Sequence, residues 1–299
     1  MMSKIFVSGL ANVETSCAVN QFPIEYQAVD YNFFGISSIA SGVGLNVSLA
    51  LTSLSDEVTF TTFVGDDTAG ESVLSACKPI SDLRIARCAQ TPQSVVLYDK
   101  SGKRRVYTDL KNVQKIHLPD HLLTDFNAFD AFCLCNINFS RDLISEAKKT
   151  GKPILCDVHC LWDIHDEYNA DFMKAADVLF LSNENIIGKE EGFVRKLIEI
   201  YPCQIIVVGM GSGGSLLYER EHDRFTMIPS VYTRPVVNTV GAGDALFSAL
   251  THFYIQGAIA VDSLRYATVF ASYKIGESGA SKGFLCEQKL QELIYGLSS

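Results

Sequence analysis

The segment Asn238-Thr-Val-Gly-Ala-Gly-Asp244 places small residues and a carboxylate directly ahead of an apolar run that ends at Gly257. That run spaces Leu246, Ala249, Leu250 and Phe253 at helical intervals, so the segment predicts a turn on a helix N-terminus. Unpaired N–H groups and the helix dipole make such an end attractive to an anion. Gly241, Ala242 and Gly243 carry almost no side chain, so a phosphate can approach the backbone. Asp244 then sets a negative charge beside that phosphate. Phosphoryl transfer explains the repulsion, because a base must take the proton of the attacking hydroxyl next to the γ-phosphate. By itself Asp244 would be accounted for as a complement to the helix dipole.

A second glycine motif at the other end of the chain shifts the balance. Ser41-Gly-Val-Gly-Leu-Asn46 leads into an amphipathic stretch over residues 46–54, with Val47, Ala50, Leu51 and Leu54 on one face. A strand pattern and Val64-Gly-Asp-Asp-Thr-Ala-Gly70 follow. Asn12 and Glu14 are alternate residues leaving the first strand, so both face one side. Asn and Glu side chains suit vicinal hydroxyls, since each can engage two at once. Asn46 is equally well placed to cap its helix, a role compatible with a ligand contact.

Taken together, these motifs resemble the ribokinase-like, or phosphofructokinase-B type, carbohydrate kinase family over nearly the whole chain. The order matches: substrate loop, Val-Gly-Asp-Asp-x-x-Gly segment, Asn183 after a strand, a Gly-x-x-Gly hairpin, then the turn at Asp244. The resemblance implies an α/β core with a small β lid, and ATP-dependent phosphorylation of a hydroxyl on a sugar or nucleoside. It makes Asp244 the base and Gly241, Ala242 and Gly243 the anion hole. It assigns acceptor contacts to Asn12, Glu14, Gly42 and Asn46. It puts Asn183 near the phosphates and Mg2+, which would be bound mainly through ATP. It makes Gly211, Ser212 and Gly214 the nucleotide loop, and residues 268–280, with Thr268 and Gly279, the wall beside the adenine. Some positions depart from the family pattern. Asn238 replaces an aspartate that helps bind a monovalent cation in ribokinases. Ile186 stands at a glutamate position, with Glu184 nearby, and Ser41 replaces a glycine. Val43 stands where typical ribokinases have lysine, which argues against ribose itself.

The elements that must position these residues are legible as short apolar runs over residues 5–7, 58–64, 131–135, 154–156, 178–181 and 205–208. Runs without polar alternation suit strands covered on both faces. Intervening helices are expected after a Ser140 cap and ending at Gly151, after an Asp262 cap, and over residues 287–295. The alternation predicts one doubly wound, mostly parallel α/β kinase domain over residues 1–299. Residues 12–40, rich in Phe22, Tyr26, Tyr31, Phe33 and Phe34, and residues 91–109 break the rhythm. The latter read as a hairpin turning at residues 99–102. Both are assigned to a lid sheet whose apolar surface predicts a homodimer.

Composition excludes several classes. A formal charge of −9 with 47% hydrophobic residues describes a globular protein without a nucleic-acid-binding surface. The nine cysteines are irregularly spaced, which favours reduced thiols and a cytoplasmic setting. Asp157, His159, Cys160 and His165 match no standard metal spacing. No signal peptide or membrane span is read. Gly209-Met-Gly-Ser-Gly-Gly214 matches a dinucleotide fingerprint but is followed by a strand pattern rather than a helix, so an NAD-dependent oxidoreductase ranks below a kinase. A catalytically silent binding protein is the other rival. Between acceptors, a neutral sugar is favoured over a nucleoside, which the aromatic residues of the lid would suit.

Overall fold

The computed structural model describes residues 2–100, 103–123 and 125–298. In chain order the elements are β1 (Lys4–Ser8), β2 (Asn12–Ala18), β3 (Ile36–Ser41), α1 (Val43–Ser53), β4 (Glu57–Val64), α2 (Thr68–Ala76) and β5 (Asp82–Arg87). Then follow β6 (Gln93–Tyr98), β7 (Arg104–Asp109), β8 (Ala131–Leu134), α3 (Arg141–Lys149), β9 (Ile154–Cys160), α4 (Ala170–Ala175), β10 (Val178–Ser182) and α5 (Glu190–Ile200). The chain closes with β11 (Ile205–Gly209), β12 (Ser215–Glu219), β13 (Arg224–Ile228), α6 (Ala242–Ile255), α7 (Ala260–Lys274) and α8 (Glu287–Ser298).

The larger sheet has nine strands in the order β13-β12-β11-β10-β9-β8-β1-β4-β5. Its pairings are parallel except at β12 and β13, which continue it antiparallel. Successive side chains of a strand point to opposite faces, and here both faces are buried. Ile5 and Val7 of β1, Val178 and Phe180 of β10, and Ile205 and Val207 of β11 enter one apolar layer with Leu51, Phe247, Leu250 and Phe270 of α1, α6 and α7. Phe6, Leu179, Leu181, Ile206 and Val208 enter the other, with Leu143, Phe172 and Leu197 of α3, α4 and α5. Helices on both faces of a mostly parallel sheet are the doubly wound arrangement expected.

A separate sheet, ordered β3-β2-β6-β7, carries the expected hairpin β6–β7. Ser101 and Gly102 of its turn lie outside the described residues. Residues 19–35 form no strand, so the aromatic cluster assigned to this sheet sits instead on a loop, with Tyr26 94% and Phe33 83% exposed.

Three helix starts differ from expectation. α1 begins at Val43 rather than Asn46, so Asn46 lies inside the helix and Gly42 precedes it at φ 102°. Ser140 does not cap α3; its own backbone is already helical, and its hydroxyl pairs with that of Ser8 at 2.8 Å. Asp262 sits within the first turn of α7, where its charge complements the dipole and meets Arg265 at 3.1 Å. Among the described residues no helix is long and apolar enough to cross a membrane. All nine cysteines are free, and burial pushes the Cys133 thiol up to about 12.

Candidate active site

The ends of β1, β9, β10 and β11 open onto one side of the large sheet, the side where open α/β sheets bind ligands. α6 points its N-terminus at this edge. Gly241 precedes it at φ 78°, and a Cβ there would lie 2.7 Å from the Ala280 carbonyl oxygen, so only glycine fits without strain. No side chain caps α6, and its opening N–H groups form the kind of cradle a phosphate occupies. The Ala242 N–H is an exception, donating to the Thr239 carbonyl at 3.1 Å. Asp244 lies one step further into the first turn and is 9% exposed.

Asp244 is tied to the opposite wall. Asn46 Nδ2 donates to Asp244 Oδ2 at 2.7 Å, joining α1 to α6. Burial holds the Asp244 carboxyl above the usual carboxylate range, with buried Asp157 on β9 adding to the effect. The Asn46 bond, His159 and Lys274 oppose the rise. Because the Asn46 amide nitrogen faces a carboxylate, its oxygen points elsewhere, and Oδ1 is buried without a partner. Asn12 repeats the pattern: its Nδ2 donates to Ser94 Oγ at 3.1 Å while its Oδ1 is buried and unpartnered. An orphaned buried acceptor costs on the order of 1–3 kcal/mol, a cost that an incoming hydroxyl donor removes. Gly42 turns the chain between these residues, where a Cβ would meet the Leu10 carbonyl oxygen at 2.5 Å. Glu14 on β2 is half-buried and within electrostatic reach of Asp244. Burial first, then the Asp244 charge, raise its pKa, against Lys274 and Arg104.

The residues carried over for the nucleotide lie along the neighbouring strand ends. Asn183 follows β10; its N–H donates to the Gly209 carbonyl at 3.0 Å and its Nδ2 to Glu190 Oε1 at 2.8 Å. Ile186, the position expected to carry a glutamate, is a core residue, and the carboxylate facing Asn183 comes from Glu190. Burial alone would raise the Glu190 carboxyl, but bonds from Asn183 and backbone N–H groups hold it below its ordinary value. Gly211 and Ser212 lie in a short 3-10 turn between β11 and β12, and Gly214 follows at φ 91°. A strand comes next, as expected from the failure of the dinucleotide fingerprint. Gly279 lies against Ile39 of the smaller sheet. The Thr268 hydroxyl donates to the Leu264 carbonyl within α7 at 2.8 Å, so its proton is spent inside the helix.

Sequence reading missed Asp157, Glu190 and Lys274. The spacing of Asp157 in the sequence points to no role beyond a metal ligand in a non-standard pattern, and among the described residues no cluster of His, Cys, Asp or Glu could hold a metal ion. Lys274 carried a readable signal, standing on the buried face of α7 four residues after Phe270 and fully buried. The cradle at Gly241 fits the phosphates of ATP. Magnesium bound with ATP would neutralise charge across the β- and γ-oxygens.

The chain belongs to the pfkB family of carbohydrate kinases, whose family model matches residues 2–285. It is similar to an acarbose 7(IV)-phosphotransferase of Actinoplanes sp., 25% identical with 90% of this chain and 91% of the relative covered. A ribokinase of Dictyostelium discoideum is 22% identical, covering 95% and 98%. A solved acarbose kinase of microbiome origin shares the fold with TM-score 0.86 at 22% identity, covering 99% of this chain and all (100%) of that one. An Arabidopsis thaliana ribokinase, complexed with ribose and ATP, superimposes with TM-score 0.82 at 18% identity, covering 98% and 99%. The chain is thus a sugar or nucleoside kinase.

Proposed function

We propose that this kinase transfers the γ-phosphate of ATP to a hydroxyl of a neutral sugar. Asp244 takes the hydroxyl proton, and the turn at Gly241, Ala242 and Gly243 receives the transferring phosphoryl group. The observation that carries the acceptor reading is the pair of buried, unpartnered amide oxygens on Asn12 and Asn46, the second of these residues being bonded to the Asp244 carboxylate. Hydroxyl groups supply the donors both oxygens lack. A phosphorylated sugar would call for a free cation in the cleft, and Arg104 is instead paired with Glu184 at 2.6 Å. Relatives named for acarbose and ribose support a free sugar over a nucleoside. The nucleoside reading is second, favoured by the exposed aromatic loop before β3.

A screen of sugars and nucleosides with MgATP and ADP detection tests the assignment. Once the acceptor is found, Asn46→Ala and Glu14→Gln should lower its kcat/KM by roughly tenfold or more, the size of a lost buried hydrogen bond, with ATP binding little changed. Unaltered kcat/KM in both variants would displace the acceptor pocket from this wall.

The smaller sheet is proposed as a lid over the cleft and as the surface of a homodimer. Its strands expose Ile36 (62%), Val95 (40%) and Tyr107 (50%) on one side of the sheet, an apolar face of the kind usually covered. Light scattering at micromolar concentration should give about twice 32.9 kDa; a monomer mass refutes the pairing.

A further inference from the structure

Lys274 ends α7 with its side chain fully buried, and its ammonium donates to the Val240 carbonyl. Val240 immediately precedes the glycine turn. The preceding peptide is held as well, since Asn238 Oδ1 accepts from the Val240 N–H at 2.8 Å. The N–H groups of Val237 and Asn238 both donate to the Ile275 carbonyl, at 2.8 and 3.0 Å. Residues 237–240 are therefore clamped onto the end of α7, with Lys274 gripping the last carbonyl before Gly241.

A buried ammonium is costly unless paired. Here its surroundings are acidic: Glu14, Asp244 and Glu277 all act on Lys274, and burial still brings its pKa down to about 8. The ammonium thus sits beside a carboxylate-rich cleft and against the turn that must receive phosphate. These residues do not fit an exchangeable monovalent cation of the kind ribokinases use. The aspartate is replaced by Asn238, whose side-chain oxygen is spent on its own loop, and a carbonyl of that loop is already occupied by Lys274. We infer that Lys274 is a positioning residue, a tethered cation that holds the Val240–Gly241 peptide and offsets the acidic cleft, so that this kinase needs no monovalent cation. An ordinary complement to the α7 dipole would affect stability only.

The inference rests on the kinase reading but is testable without a known acceptor. Binding of the magnesium complex of a non-hydrolysable ATP analogue is measured by calorimetry, with melting temperatures, in potassium, sodium, ammonium and choline chloride. Wild type should bind alike in all four salts. Lys274→Ala in choline chloride should bind roughly 10–100-fold more weakly, the range for loss of a residue that orients a bound group. Ammonium or potassium ions should restore most of that loss, by entering the space the side chain leaves. Lys274→Met, which fills that space, should stay weak in every salt. Potassium dependence in wild type overturns the assignment even if neither variant folds. So does undiminished binding by Lys274→Ala, or equal salt rescue of Lys274→Met. Wild type that binds the analogue in no salt overturns the kinase reading itself.

Discussion

Asp244→Asn should lower turnover by roughly 10²–10⁴, the span associated with loss of a general base, while MgATP affinity holds or rises. The neutral amide keeps an oxygen that can accept from Asn46 Nδ2, so the contact between α1 and α6 survives. What disappears is a negative charge close to the incoming phosphates. Stability should move the other way from activity. A buried carboxyl with a raised pKa binds its proton more tightly folded than unfolded, so its ionisation costs stability as pH climbs through that range. Removing the charge lifts this cost, and the variant should melt at or above the wild-type temperature at pH 7. The acid limb of the wild-type pH–rate profile should lie above the ordinary carboxylate range for the same reason. Equal turnover in variant and wild type, with any good acceptor, would remove Asp244 from the role of base.

Gly241→Ala should be nearly as severe through backbone geometry alone. The residue stands at φ 78°, and the new methyl would lie 2.7 Å from the Ala280 oxygen and 2.8 Å from its Cα, both backbone atoms. Relief requires the turn to lift away from residue 280, which turns the opening N–H groups of α6 from the phosphate. Misdirecting donors of an anion hole costs roughly 10²–10³ in kcat. The left-handed conformation adds about 1–3 kcal/mol of strain for a residue with a side chain. We expect a lower melting temperature together with weakened nucleotide binding. A variant that binds ATP and turns over as wild type would show that the turn does not receive the phosphoryl group.

Glycine spacing and apolar periodicity are local properties, which is why most of the architecture was legible beforehand. Each strand read as an apolar run has its inward and outward residues sorted into two covered layers. Likewise the turn before α6 and the hairpin after β11 follow from chemistry within a few residues. Expectations failed where one residue type serves several local roles. Ser140 and Asp262 have the side chains of caps, and only their backbone angles and distant partners decided otherwise. The aromatic run over residues 19–35 has the composition of strands, yet lacks the alternation that would pair it.

The sequence by itself determined the family, the doubly wound order of elements, and the presence of an acid behind a phosphate-sized turn. All of these are written in short-range spacing. The tertiary structure decided what that acid touches. Asn46 and Asp244 stand 198 positions apart and meet at 2.7 Å. Asn12 finds Ser94 across the smaller sheet, Asn183 takes Glu190 in place of the carboxylate missing at Ile186, and Lys274 reaches back to Val240. The physical reason is burial. Polar groups taken from water must find partners wherever the packed chain offers them, and those partners are chosen by how helices and strands stack, not by their order along the chain.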